Sequence, residues 1–181
     1  IFPGMAQGRP IPDLMREIGR QFDQALKIGF RAMKMEVLFY DLVSDAELVK
    51  LIHEGRKMLG DGPLMAVDFG YRWRNWRAPP WGSARLAARA IIFGAATRPH
   101  DRPHGHPQRA EMSSIRIGGA EAGATRWEIR EWLTRGRVDI VQPNICRGGG
   151  LTEIRRIAEM CEMAGAEVVP HGWKTGITSA A

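Results

Sequence analysis

The stretch VDIVQPNICRGGGLTEIRRIAEMCEMAGAEVVPHGWKTGIT, residues 138–178, decides the fold. Its apolar opening at 138–141 runs into the polar turn Gln142-Pro143-Asn144 and then into glycines 148, 149 and 150. Ile154, Ile157, Ala158 and Cys161 follow at helical spacing, and a second apolar run, Val168 and Val169, ends at Pro170-His171-Gly172. Strand, loop, amphipathic helix and strand in that order predict a βα unit of a parallel sheet. Asn144 and His171 each fall just past the C-terminal end of a strand. In parallel α/β proteins that end binds ligands and does chemistry.

The same grammar repeats upstream. Pro12 and Asp13 open a helix with Leu14, Ile18, Phe22 and Leu26 on one face and Gly29 beyond its end. Residues 31–37 (RAMKMEV) alternate, with Ala32, Lys34 and Glu36 on one face and Met33, Met35 and Val37 on the other. Two charged groups on one face of a strand need water, a partner or a ligand. If that strand lines a barrel, Lys34 and Glu36 point inward.

Ser44 and Glu47 are spaced as a capping box for a helix that turns Leu48, Leu51, Ile52 and Leu59 to the core. Gly60-Asp61-Gly62 then leads into a strand over 64–67 that closes on Asp68. A carboxylate ending an apolar strand reads as a ligand or catalytic group. A strand over 115–119 leads to Glu121, and Thr125 with Glu128 makes a second capping box. Its helix carries Trp127, Ile129, Trp132 and Leu133, with both tryptophans expected to pack.

Residues 77–113 break the pattern. Prolines, arginines and His100, His104 and His106 crowd there without helical or strand periodicity, and the histidines lack a metal-ligand frame. An irregular loop is the expectation. Such a composition between two regular segments is also what out-of-frame translation of GC-rich DNA produces.

The charge is equally local. Eight arginines against Asp101 give 72–109 a charge of +7, so the chain's +6 leaves 6 − 7 = −1 for the remainder. A basic surface for nucleic acid is therefore not a property of the whole chain, and only Trp73, Trp76 and Trp81 interleave with those arginines. No apolar run approaches the roughly 18 residues of a membrane span. Cys146 and Cys161 form no disulfide framework or zinc spacing, which points to a reduced, cytoplasmic protein. With 181 residues the chain can build a domain core, and its ends at Ile1 and Ala181 read as those of a fragment without a signal peptide.

Lys34 with Glu36, then Asp68, Glu121, Asn144 and His171 recur at about the length of one βα unit, except across the irregular stretch, where a strand is missing from the pattern. Parallel strands would align these groups on one rim, where carboxylates, a lysine and a histidine suit a hard divalent cation and an acid/base pair. The pattern supports a (β/α) barrel, with a doubly wound sheet as the alternative.

Five ordered segments also carry a resemblance: GFRAMKMEV, LMAVDFGYRW, IRIGGAE, VDIVQPNICRGGGLTE and VVPHGWKTGI. Together they resemble the barrel domain of the enolase superfamily, in its mandelate racemase/muconate lactonizing enzyme branch. The resemblance implies an α/β fold, a partial TIM-type (β/α)7β barrel incomplete at both ends, with the N-terminal capping domain absent. It implies Mg2+ held by acidic residues at strand ends and removal of a proton α to a carboxylate, the metal countering the charge of the enediolate. Asp68 matches the first metal ligand and Glu121 the third. Lys34 matches the first lysine of the family's Lys-x-Lys pair, and His171 the histidine of its His–Asp dyad.

Three positions depart from that pattern. Ala95 stands where the second carboxylate ligand belongs, Glu36 where the second lysine would be, and Asn144 where the dyad aspartate would be. The last two argue against two-base racemisation, which needs a base on each face of the carbanion. The resemblance then implies a dehydratase, a hydro-lyase acting on a small-molecule carboxylate such as a sugar acid. The alternatives are a racemase or epimerase of the same superfamily and a catalytically inactive fragment. A homo-oligomer is open to the longer parent, with no membrane or nucleic-acid partner.

Overall fold

The computed structural model describes residues 9–36, 43–68, 90–93, 116–136, 138–172 and 176. The chain divides into two compact units, Ile1–Gly94 and Ala95–Ala181.

In the first unit, helix α1 (Ile11–Lys27) buries Leu14, Met15, Ile18 and Phe22 along one stripe. This is the 3.6-residue face visible in the sequence. Strand β1 (Ala32–Glu36) buries Met33 and Met35 and leaves Lys34 and Glu36 half-buried on its other face, the alternation expected of 31–37. Helix α2 (Asp45–Leu59) starts at the expected capping box. Ser44 Oγ accepts the Glu47 N–H, and the Glu47 carboxylate accepts the Ser44 N–H at 2.8 Å. Strand β2 (Leu64–Asp68) follows, and β1 and β2 pair in parallel with Lys34 opposite Ala66 and Glu36 opposite Asp68.

Two features of this unit were not legible in the sequence. Arg56 is buried on α2, where its guanidinium donates to the carbonyls of Gly60 (3.0 Å) and Pro63 (2.9 Å) and so staples the turn into β2. Strand β3 (Ala90–Phe93) pairs in parallel with β2, placing Phe93 opposite Asp68. It lies inside 77–113, so the expectation of an irregular stretch with a missing strand is corrected at these four residues. A run of only AIIF is too short to show a period of its own, and the pairing that makes it a strand comes from β2. Ala95, the three histidines of that segment and its arginines lie outside the described residues.

The second unit repeats the scheme with β4 (Ile117–Gly119), α3 (Arg126–Thr134), β5 (Ile140–Val141), α4 (Leu151–Met163) and β6 (Glu167–Val168). Strand β5 pairs in parallel with both β4 and β6. Its core joins Ala120, Ile129, Trp132, Val138, Val141, Ile154, Ile157 and Cys161. Cys161 behaves as a small hydrophobe, its thiol pushed up to about 11 by burial. Neither cysteine is in a disulfide. Trp132 packs as expected. Trp127 does not: it is 62% exposed, with the guanidinium carbons of Arg126 and Arg130 at 5.8 and 5.5 Å from its ring centre. The second capping box is half made. Thr125 Oγ1 accepts the Glu128 N–H, whereas the Glu128 carboxylate reaches back to the N–H of Ala124.

The first turns of α3 and α4 are tied together. Arg126 Nε and Nη2 meet Glu153 Oε1 and Oε2 at 2.7 and 2.6 Å, a bidentate pair. These hydrogen bonds hold the Glu153 carboxyl below the ordinary carboxylate range. A depressed folded-state value means that the contribution to stability is present above the ordinary carboxylate range and is lost as pH falls through the folded-state value. Glu153→Gln is therefore expected to cost urea stability near about pH 6 and to cost progressively less toward about pH 3. A constant difference between variant and parent across that range would remove this assignment. Among the described residues no helix is long and apolar enough to cross a membrane.

Candidate active site

The sequence-predicted residues fall into one group in each unit. In the first, the β1–β2 register puts Lys34, Glu36, Ala66 and Asp68 on one face, since paired positions of parallel strands share a side. Lys34 Nζ donates to Asp68 Oδ2 at 2.8 Å. The lysine side chain is 33% exposed and the aspartate 10%. Lys34 thus reaches diagonally across to Asp68, one strand over.

In the second unit the β5–β6 ladder ends and resumes once as a parallel bridge between Asn144 and His171, with the His171 N–H donating to Pro143 O at 3.0 Å. This pairing is why two residues 27 apart in sequence share a face. Asn144 Nδ2 lies 3.1 Å from His171 Nδ1, and Asn144 Oδ1 accepts the backbone N–H of Cys146 at 3.0 Å. On the other side of the ring, His171 Nε2 lies 3.3 Å from Glu121 Oε2, both side chains being about one fifth exposed.

Local backbone places these groups. Glu121 follows Ala120, a fully buried residue at φ 70°, in the left-handed region that costs a non-glycine residue about 1–3 kcal/mol. A turn closed from Gly123 N–H to Ala120 O holds that conformation and aims Glu121 away from the core. After Asn144 the chain doubles back. The N–H groups of Arg147 and Gly148 both donate to Asn144 O, and Gly149 and Gly150 sit at φ 86° and 83° on the way into α4. Two contributors escaped the sequence reading. One is the Cys146 backbone; the other is Arg147, whose Nε donates to Ala122 O at 2.9 Å and fastens the turn after Glu121. A backbone donor has no sequence signature, and the Arg147 contact exists only once two loops meet.

The structure therefore joins Lys34 to Asp68, and His171 to Asn144 and Glu121. Asp68 and Glu121 are hard oxygen donors, the right kind for Mg2+. Among the described residues no group of three or more His, Cys, Asp or Glu side chains gathers around one point.

Parallel strands joined by helices define the class, an α/β protein, and a histidine, a lysine and carboxylates stand at its strand ends. Residues 17–181 match the family model described as enolase C-terminal domain-like. The chain belongs to that family. The D-galactarolactone cycloisomerase of Agrobacterium fabrum is 40% identical over 153 residues, 84% of this chain and 39% of that protein. The arabinonate dehydratase of Saccharolobus solfataricus is 29% identical over 153 residues, 84% of this chain and 40% of that protein. Among solved structures, a racemase from Streptomyces coelicolor A3(2) with bound magnesium has a TM-score of 0.75 and 25% identity, over 88% of this chain and 43% of that one. The chain spans about two fifths of the length of these two curated relatives.

Proposed function

We propose that the full-length protein is a Mg2+-dependent lyase that removes the proton α to the carboxylate of a sugar acid and expels a β-hydroxyl as water. The observation that carries this reading is His171 held between Asn144 and Glu121, a histidine at a strand end whose Nδ1 faces, among the described residues, an amide and not a carboxylate. Without that carboxylate the ring is a poor second base, so inversion by two opposed bases is disfavoured and elimination is not. The dehydratase among the relatives supports the same direction.

Lys34 is assigned proton removal: its neutral amine takes the α proton, and Asp68 accepts a hydrogen bond from the ammonium that results. His171 is assigned to the departing oxygen; Asn144, beside it, and Glu36, on the same strand face as Lys34, are assigned supporting roles. Asp68 and Glu121 are the residues we assign to Mg2+, on the motif match and on their donor type. Bound there, the cation supplies a counter-charge for the substrate carboxylate as the α proton leaves.

The 40% identity to a cycloisomerase favours a second reading, rearrangement without loss of water. One experiment separates them. The full-length protein is incubated with a panel of sugar acids and Mg2+, and products are read by mass and by NMR. Loss of one water, abolished by EDTA and restored by Mg2+, is the expected result. A product of unchanged mass and altered connectivity selects the cycloisomerase; inversion alone selects a racemase. No turnover of any acid would sink the assignment.

A further inference from the structure

Asn144 does more than fill the place of an aspartate. Its amide has a donor end and an acceptor end, and which end faces which neighbour is fixed by the Cys146 backbone N–H. That N–H can only donate, and at 3.0 Å it requires oxygen opposite it, so Oδ1 faces Cys146 and the NH2 group faces His171. The NH2 nitrogen, 3.1 Å from His171 Nδ1, can only donate in turn. Nδ1 must then present its lone pair. A neutral imidazole with a lone pair on Nδ1 carries its hydrogen on Nε2, the nitrogen that faces Glu121.

We infer that Asn144 is a positioning residue that fixes His171 in the Nε2–H tautomer, so that Nε2 presents a hydrogen and Nδ1 a lone pair. The constraint comes from the amide and the Cys146 N–H, and holds whatever Glu121 binds. An aspartate in the same place would accept from Nδ1–H and leave the Nε2 lone pair to take up a proton. Exchanging one oxygen for an NH2 group therefore reverses the ring. The role given to the donor rests on the lyase reading above: Nε2–H hydrogen-bonds to the departing hydroxyl and Lys34 takes the α proton. The C–H electron pair forms the double bond as the C–O bond breaks, and that proton leaves with the hydroxyl as water.

The tautomer can be read without substrate. Protein labelled with 15N-histidine is examined by two-bond 1H–15N correlation at a pH where the ring is neutral, and the His171 pattern is assigned by its disappearance in His171→Gln. The expected pattern places the proton on Nε2 in the parent chain and moves it to Nδ1 in Asn144→Asp. An Nδ1–H pattern in the parent chain would overturn the inference, and the parent measurement decides it even if the variant fails to fold. An Nε2–H ring in a protein that eliminates no water from any sugar acid would leave Asn144 as the positioning residue and remove only the lyase reading.

Discussion

Lys34→Met in the full-length protein is expected to lower kcat on its sugar acid by 10²–10⁴, roughly the contribution of one positioned acid/base group. Met keeps an unbranched chain of similar length, so β1 retains its stem and loses only the group that moves a proton. Lys34→Arg is the sharper variant. Arginine keeps a cation beside Asp68, where Nζ now sits at 2.8 Å, but a guanidinium does not give up or take up a proton at working pH. If Lys34 moves the proton, the Arg variant is as slow as the Met variant, while its urea stability stays within about 1 kcal/mol of the parent. If the pair with Asp68 is only structural, the Arg variant keeps most of its activity. Recovery of more than about a tenth of the parent kcat by Lys34→Arg would exclude Lys34 as the base.

That experiment rests on a contact the sequence could announce only in part. Alternation across Ala32, Met33, Lys34, Met35 and Glu36 fixed which side chains share a face, because a strand has a period of two and needs no tertiary information. The partner of Lys34 depends on the register between β1 and β2, which no local pattern encodes. Ser44 and Glu47 were legible for the same reason as the alternation: a capping box is closed within four residues. Thr125 and Glu128 share that spacing, yet the carboxylate went to Ala124 because the N–H one position earlier was within reach. Trp127 was misjudged because an aromatic in a helix reads as core unless its face is known. The buried stripe runs through Ile129 and Trp132, and Trp127 stands off it between two arginines. Arg56 could not be foreseen, since its burial is compensated by carbonyls four and seven residues on that converge only after the turn forms. The candidate site divides the same way. Its residues were named by position at strand ends, whereas the direction of the Asn144 amide needed a backbone N–H.

Gly136→Ala is expected to be the most damaging single-methyl change, at about 3 kcal/mol of unfolding free energy. Gly136 follows the last turn of α3 and carries the chain toward β5 and Asn144. A Cβ built there would lie 2.5 Å from Trp132 O, 3.1 Å from Trp132 Cα and 3.2 Å from Trp132 C. All three are backbone atoms of a turn whose side chain is buried in the core, so no rotamer change relieves the clash. The Gly136 N–H donates to Glu131 O at 3.1 Å, and the Val138 N–H points to the same Trp132 O at 3.5 Å. The methyl must therefore unwind the end of α3 or push out the strand that follows, and either change moves the loop that holds Asn144 against His171. Gly62→Ala serves as the control, because a Cβ there meets nothing within 4 Å and the cost should stay within about 0.5 kcal/mol. Urea unfolding of the two variants beside the parent measures both. Equal midpoints for all three would mean that the α3–β5 turn yields cheaply, and that Asn144 is held by its own loop rather than by the helix before it.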